Sequence, residues 1–149
     1  MSTQPLSPPP DTAVERVVTI GQAIPGFPEL SELAIMPIDG YGMFVWLTSP
    51  ETFDVAFLAV NPFPFFPEYD VELSDVDEAL LAAERGDDLI VYCLVTVDRA
   101  SGQATANLLA PVVVNASRAR ALQVILEGEH PLRAPLEAPG VETPTAEPS

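Results

Sequence analysis

The chain has no lysine, one cysteine and one histidine among its 149 residues. The single cysteine, Cys93, excludes an internal disulfide. With only His130 beside it, the His/Cys shell usual for zinc cannot be assembled, so no metal site and no cofactor is expected. Cations are scarce: six arginines stand against 22 acids, a net charge of −16. A surface this acidic repels phosphate, which excludes direct nucleic-acid binding and disfavours anionic membranes. No apolar run reaches the ~18 residues of a membrane span. The N-terminal segment MSTQPLSPPP has neither a cation nor an apolar stretch, so it does not read as a secretory signal. An unpaired cysteine and no export signal make the cytoplasm the expected location.

Apolar residues make up 48% of the chain, too many for a wholly disordered protein despite its charge. Proline marks the boundaries. Of 17 prolines, nine lie in the two ends: Pro5, Pro8, Pro9, Pro10, Pro131, Pro135, Pro139, Pro144 and Pro148. Residues 1–11 and 133–149 are therefore expected to be disordered tails around one folded domain at 12–132.

Within that body the short-range pattern is β. Strand candidates are Val14–Ile20, Leu33–Met36, Met43–Leu47, Val55–Val60, Leu89–Val97, residues 103–109, Val112–Val114 and Gln123–Leu126. Asp98–Gly102 reads as a five-residue hairpin turn. The expected class is all-β, a small antiparallel barrel-like domain with one short helix at about 74–85. Ser74 and Asp77 suit a helix start, Val76, Leu80 and Ala83 form an apolar stripe, and Gly86 suits the stop. Ser117–Ala121 reads as a weaker helical turn.

Two surfaces are candidates for function. The segment Asn61-Pro62-Phe63-Pro64-Phe65-Phe66-Pro67-Glu68-Tyr69-Asp70 holds four of the eleven aromatics and three prolines. Prolines so spaced forbid a regular ladder, so the rings sit on a rigid loop. They either plug one end of the barrel or form a preorganised apolar docking surface, and different rings can do each. From Glu68 to Asp88 there are nine acids and one arginine. This is a solvated face or a surface for a basic partner, with Asp75, Asp77 and Glu78 at its centre.

Catalytic residues are not expected. Glu68 and Asp70 could be paired as acid and base, but such pairs arise by chance among 22 acids. Cys93 shares a strand face with Leu89, Val91, Val95 and Val97 and reads as a core residue. His130 reads as a surface histidine. A deep apolar cavity under the aromatic loop would instead make the chain a small-molecule-binding barrel, the alternative reading.

The blocks Asn61-Pro62-Phe63, Phe65-Phe66-Pro67-Glu68-Tyr69 and Thr105-Ala106-Asn107-Leu108-Leu109-Ala110-Pro111, in that order, resemble the bacterial flagellar assembly factor family FliW. Ile24-Pro25-Gly26-Phe27, Trp46-Leu47-Thr48-Ser49 and Gln123-Val124-Ile125-Leu126 extend the resemblance over about 14–132. It implies a non-catalytic, cytoplasmic, monomeric protein that binds flagellin before export. It also implies antagonism of the translational repressor CsrA, by binding outside that protein's RNA groove. On this reading the partner-binding residues are Asn61, Phe63, Phe65, Phe66, Glu68, Tyr69, Asp70, Asp75, Asp77 and Glu78.

Overall fold

The computed structural model describes residues 16–22, 24, 27, 30–38, 43–50, 56–98 and 100–136. The strands are β1 (Arg16–Ile20), β2 (Glu32–Pro37), β3 (Phe44–Thr48), β4 (Ala56–Val60), β5 (Leu89–Val97), β6 (Ala104–Ala106), β7 (Val112–Asn115), β8 (Arg120–Gln123) and β9 (Ala134–Pro135). Among the described residues there is one helix, α1 (Asp75–Leu80), between β4 and β5. Strands β4, β3, β2, β1, β8, β7 and β5 are neighbours in that order, and a β4–β5 pairing closes them into a seven-strand barrel.

A closed ring with an odd number of strands cannot be antiparallel throughout. The odd pairing here is β1 with β8, which run parallel at Thr19↔Arg120 and Ile20↔Ala121. The expected antiparallel barrel therefore carries one parallel seam. Strand β5 serves three partners in turn. Leu89–Tyr92 pair with β7, Cys93 and Leu94 with β4, and Val95–Val97 with β6. The hairpin after β5 forms as its sequence predicts: Asp98 N–H donates to Gln103 O at 2.8 Å, and Gly102 takes φ +76°. Only glycine adopts that angle without steric cost.

Strand β7 is buried on both faces, which explains its uninterrupted valines. Val112 and Val114 join the cluster of Val18, Leu33, Ile35, Val45, Leu47 and Tyr92. Val113 faces the other way, against Leu81, Leu122, Val124 and Leu126, under a cover formed by Tyr69, Val71, Leu73, Leu80 and Ala83. Gly21 lies where this cover meets the barrel. A Cβ there would stand 2.6 Å from the Leu80 carbonyl oxygen, so only glycine fits.

Several expectations need correction. The helix ends at Leu80, a turn short of the expected 74–85. Leu81 turns into the core at 0% exposure, and Ala82 takes the left-handed position, with Ala83 N–H donating to Glu78 O at 2.9 Å. This hydrogen-bonded helix stop ends α1 before Gly86, which serves a later turn. Val76 is 66% exposed, so the stripe Val76–Leu80–Ala83 does not bury as one face.

The last barrel strand is Arg120–Gln123 rather than Gln123–Leu126, because residues 116–119 form a tight turn with Ala119 at φ 58° instead of a helical turn. The folded body also runs past 132. Ala134–Pro135 pair with β6, and Ala134 is buried with Val60, Cys93, Ala106 and Leu108. The expected tails at 1–11 and beyond residue 136 lie outside the described residues, as do Val14, Glu15 and Val55.

Candidate functional site

The aromatic loop begins where β4 ends at Val60. Asn61 Oδ1 accepts from Phe63 N–H at 3.1 Å, and the Pro62 carbonyl accepts from both Phe65 and Phe66 N–H, at 3.0 and 2.8 Å. The loop is thus wound into a compact turn, because its prolines cannot donate to a strand ladder. Its rings divide. Phe65, Phe66 and Tyr69 are half-buried against Val60, Cys93, Ala106, Leu108 and Ala134. Phe44 meets Phe65 edge-on at 6.0 Å. Phe63 is exposed, resting on Tyr69 at 6.0 Å between ring centres.

Tyr69 is the anchor of this cluster. Its hydroxyl donates to Leu108 O at 2.6 Å, and its ring stands edge-on to His130 at 5.9 Å. Burial, reinforced by the neighbouring Cys93, pushes its phenol well above the ordinary tyrosine range. Burial likewise pushes the Cys93 thiol up to about 12, so it stays protonated and inert, a core residue as its strand position predicts. His130 is not a free surface side chain: it is half-buried against Tyr69.

The acidic segment follows directly. Glu68, Asp70, Asp75 and Glu78 are exposed. Asp77 is half-buried and structural: its Oδ2 accepts from Ser74 N–H while its own N–H donates to Ser74 Oγ, both at 3.1 Å. This reciprocal pair caps α1. Between the acidic segment and the end of β8 runs a groove of about 640 Å³. Asp70, Glu72, Asp77 and Glu127 line it, together with Leu73, Leu122, Ile125 and Leu126. Among the described residues no lysine or arginine does, and His130 is the one basic side chain in the lining. Sequence reasoning missed the Ile125 wall of this groove. Ile125 was readable only as a strand residue, yet it is 66% exposed.

A polar knot holds the acidic segment to the barrel. Asp87 Oδ2 accepts from Asn115 Nδ2 at 3.0 Å, from Glu84 N–H at 2.9 Å and from Arg118 Nε at 3.2 Å. These contacts, the Asn115 amide first, hold the Asp87 carboxyl below its ordinary value of 3.8. A lowered folded-state value gives stability that is complete above the unfolded value and is lost as pH falls through the folded one. Acid unfolding of the wild type should therefore steepen below about pH 4. Asp87→Asn should be less stable at neutral pH and show a flatter acid limb in urea titrations. Parallel limbs would show that Asp87 does not couple to folding.

Among the described residues no group of three or more His, Cys, Asp or Glu side chains is placed to hold a metal ion, and no helix is long and apolar enough to cross a membrane.

A family model described as FliW protein matches residues 9–136. The chain is 35% identical over 127 residues to the flagellar assembly factor FliW of Shouchella clausii, covering 85% of this chain and 87% of that one. The FliW of Moorella thermoacetica is 41% identical over 108 residues, or 72% and 68% of the two chains. That of Bacillus subtilis is 35% identical over 112 residues, or 75% and 78%. A crystal structure of the flagellar assembly factor FliW superposes with a TM-score of 0.69 at 29% identity, covering 85% of this chain and 87% of that one. With the family model spanning the whole described body and the same barrel in a solved relative, the chain belongs to the FliW family.

Proposed function

We propose that this protein is a non-catalytic, monomeric, cytoplasmic flagellar assembly factor. It binds flagellin before export and antagonises the translational repressor CsrA by docking outside the RNA groove. The observation that carries the flagellar role is the match to flagellar assembly factors over most of both chains. The surface suits a protein partner. Phe63, Glu68, Asp70, Asp75 and Glu78 are exposed side by side along one segment, with apolar and anionic character together. Asn61, Phe65, Phe66, Tyr69 and Asp77 shape that segment from beneath. A −16 protein seated on a basic RNA-binding dimer lowers the local potential and disfavours RNA phosphates without touching the groove.

The small-molecule alternative is less favoured, because Phe65, Phe66 and Tyr69 pack into the space that a ligand would need under the aromatic loop.

The test is gel filtration of the protein with the host's flagellin and, separately, with CsrA. A co-eluting flagellin complex is expected. CsrA should lose a bound flagellin leader RNA on addition of this protein and regain it when flagellin is added. Separate elution from both partners would overturn the reading.

A further inference from the structure

One wall of the groove is a sheet edge that no described residue pairs with. Beyond Gln123 the chain of β8 continues extended, with Val124 N–H donating to Pro111 O at 2.8 Å and Leu126 N–H to Leu109 O at 2.9 Å. Alternation along an extended chain turns the N–H and C=O of Gln123 and Ile125 to the opposite side. Strand β1 would have to continue there to meet them. Among the described residues, its last bond to this edge is Gly21 N–H to Ala121 O at 2.8 Å. Among the described residues, nothing pairs with the main-chain groups of Gln123 and Ile125. Both residues, and Gln22 beside them, line the groove.

We propose that this edge is a docking site for an extended, basic segment of a partner protein. The segment adds to β8 as a further strand at residues 123–127, and its cations meet Asp70, Glu72 and Glu127. Exposed edges of this kind are templates for strand addition: main-chain bonds supply affinity and alternate side chains supply specificity.

Charge selects the occupant. Glu72 and Glu127 make no hydrogen bond among the described residues, so they are available to a cation. A second copy of this chain would bring more negative charge to an anionic groove. The chain's own ends are also unsuited. Residues 1–15 and 137–149 contain no lysine or arginine, and their prolines lack the N–H that a ladder requires. Apolar side chains at alternate positions of the incoming strand would rest on Ile125, already 66% exposed. The inference rests on the reading that this protein works by binding other proteins, and adds the secondary structure and charge of the segment it takes.

The probe is a short labelled peptide alternating lysine and valine, followed by fluorescence anisotropy. A peptide of the same sequence, N-methylated at every residue, keeps every side chain but has no ladder donor on either edge. The parent peptide should bind, weaken with salt, and exceed the N-methylated peptide by about tenfold or more. Ile125→Pro deletes an N–H that no described residue uses, and should cost a similar factor. Glu72→Gln combined with Glu127→Gln leaves the backbone alone and should also weaken binding. Equal binding of the parent and N-methylated peptides to the wild type would overturn the proposal, whatever the variants do. So would equal binding of a glutamate–valine peptide. Flagellin co-elution, measured on the same preparation, separates the two readings: flagellin bound with no peptide binding overturns this inference alone.

Discussion

Phe65→Ala, Phe66→Ala and Tyr69→Ala are each expected to lower stability by about 3 kcal/mol, whereas Phe63→Ala should cost less than about 1 kcal/mol. The division follows from where the rings point. Phe65 and Phe66 fill the space over Val60, Cys93 and Leu108, and removing either leaves a void that the surrounding strands cannot close. Tyr69 adds a polar contribution, because its loss strands the Leu108 carbonyl that it satisfies at 2.6 Å. Tyr69→Phe isolates that contribution and should cost about 1–2 kcal/mol. Phe63, with 39% of its surface in water, is the most exposed of the four rings and loses the least packing. Its truncation should appear in flagellin affinity instead, by about 2 kcal/mol or roughly thirtyfold. Urea midpoints and flagellin titrations on the four variants check both halves. If the three half-buried rings can be removed with midpoints unchanged, they do not plug the barrel. If Phe63→Ala binds flagellin like the wild type, the loop is not the docking surface.

How far such features could be read from the chain depends on whether their cause is local. The hairpin at Asp98–Gly102 was legible because a turn needing positive φ contains its glycine. Strand β5 was legible end to end because nine residues of unbroken β propensity lie between polar flanks. The capping box at Ser74 and Asp77 was legible for the same reason. The end of α1 was not. It is set by Leu81 turning into a cluster with Val113 and Leu122, and its left-handed stop falls on Ala82, a residue that gives no signal. Ala119 hid the turn before β8 in the same way. The two residues of β9 sit in a proline-rich polar stretch and pair only because β6 offers them an edge. The parallel seam has no local signature, since it follows from the parity of the closed ring. For the site, the acids and the rings could be named, but which ring faces water depended on the partners that β5, β6 and β9 bring beneath the loop.

The second large effect is expected at a residue with no obvious signal in the sequence. Asn115→Ala should lower stability by about 3 kcal/mol or more. Asn115 is completely buried at the end of β7 and uses both ends of its amide. Nδ2 donates to Leu81 O at 3.1 Å and to Asp87 Oδ2 at 3.0 Å, while Oδ1 accepts from the N–H groups of Ser117 and Arg118 at 3.1 and 3.3 Å. One side chain therefore ties the end of α1, the 84–87 turn and the β7–β8 turn together. Truncation leaves a buried carbonyl without its donor, and a desolvated polar group costs more than the bond it made was worth. The same knot positions the helical wall of the groove, so peptide binding at the β8 edge should weaken along with stability. Asn115→Asp sharpens the test. It preserves shape, but the carboxylate cannot donate to Leu81 O and stands against Asp87. That variant should be at least as unstable as the alanine near neutral pH and should recover part of the loss on mild acidification, when the introduced carboxyl takes a proton. Urea titrations of both variants across that range decide the point: an aspartate variant as stable as the wild type at neutral pH would mean that the amide's donor is not needed, and that the knot does not hold the groove.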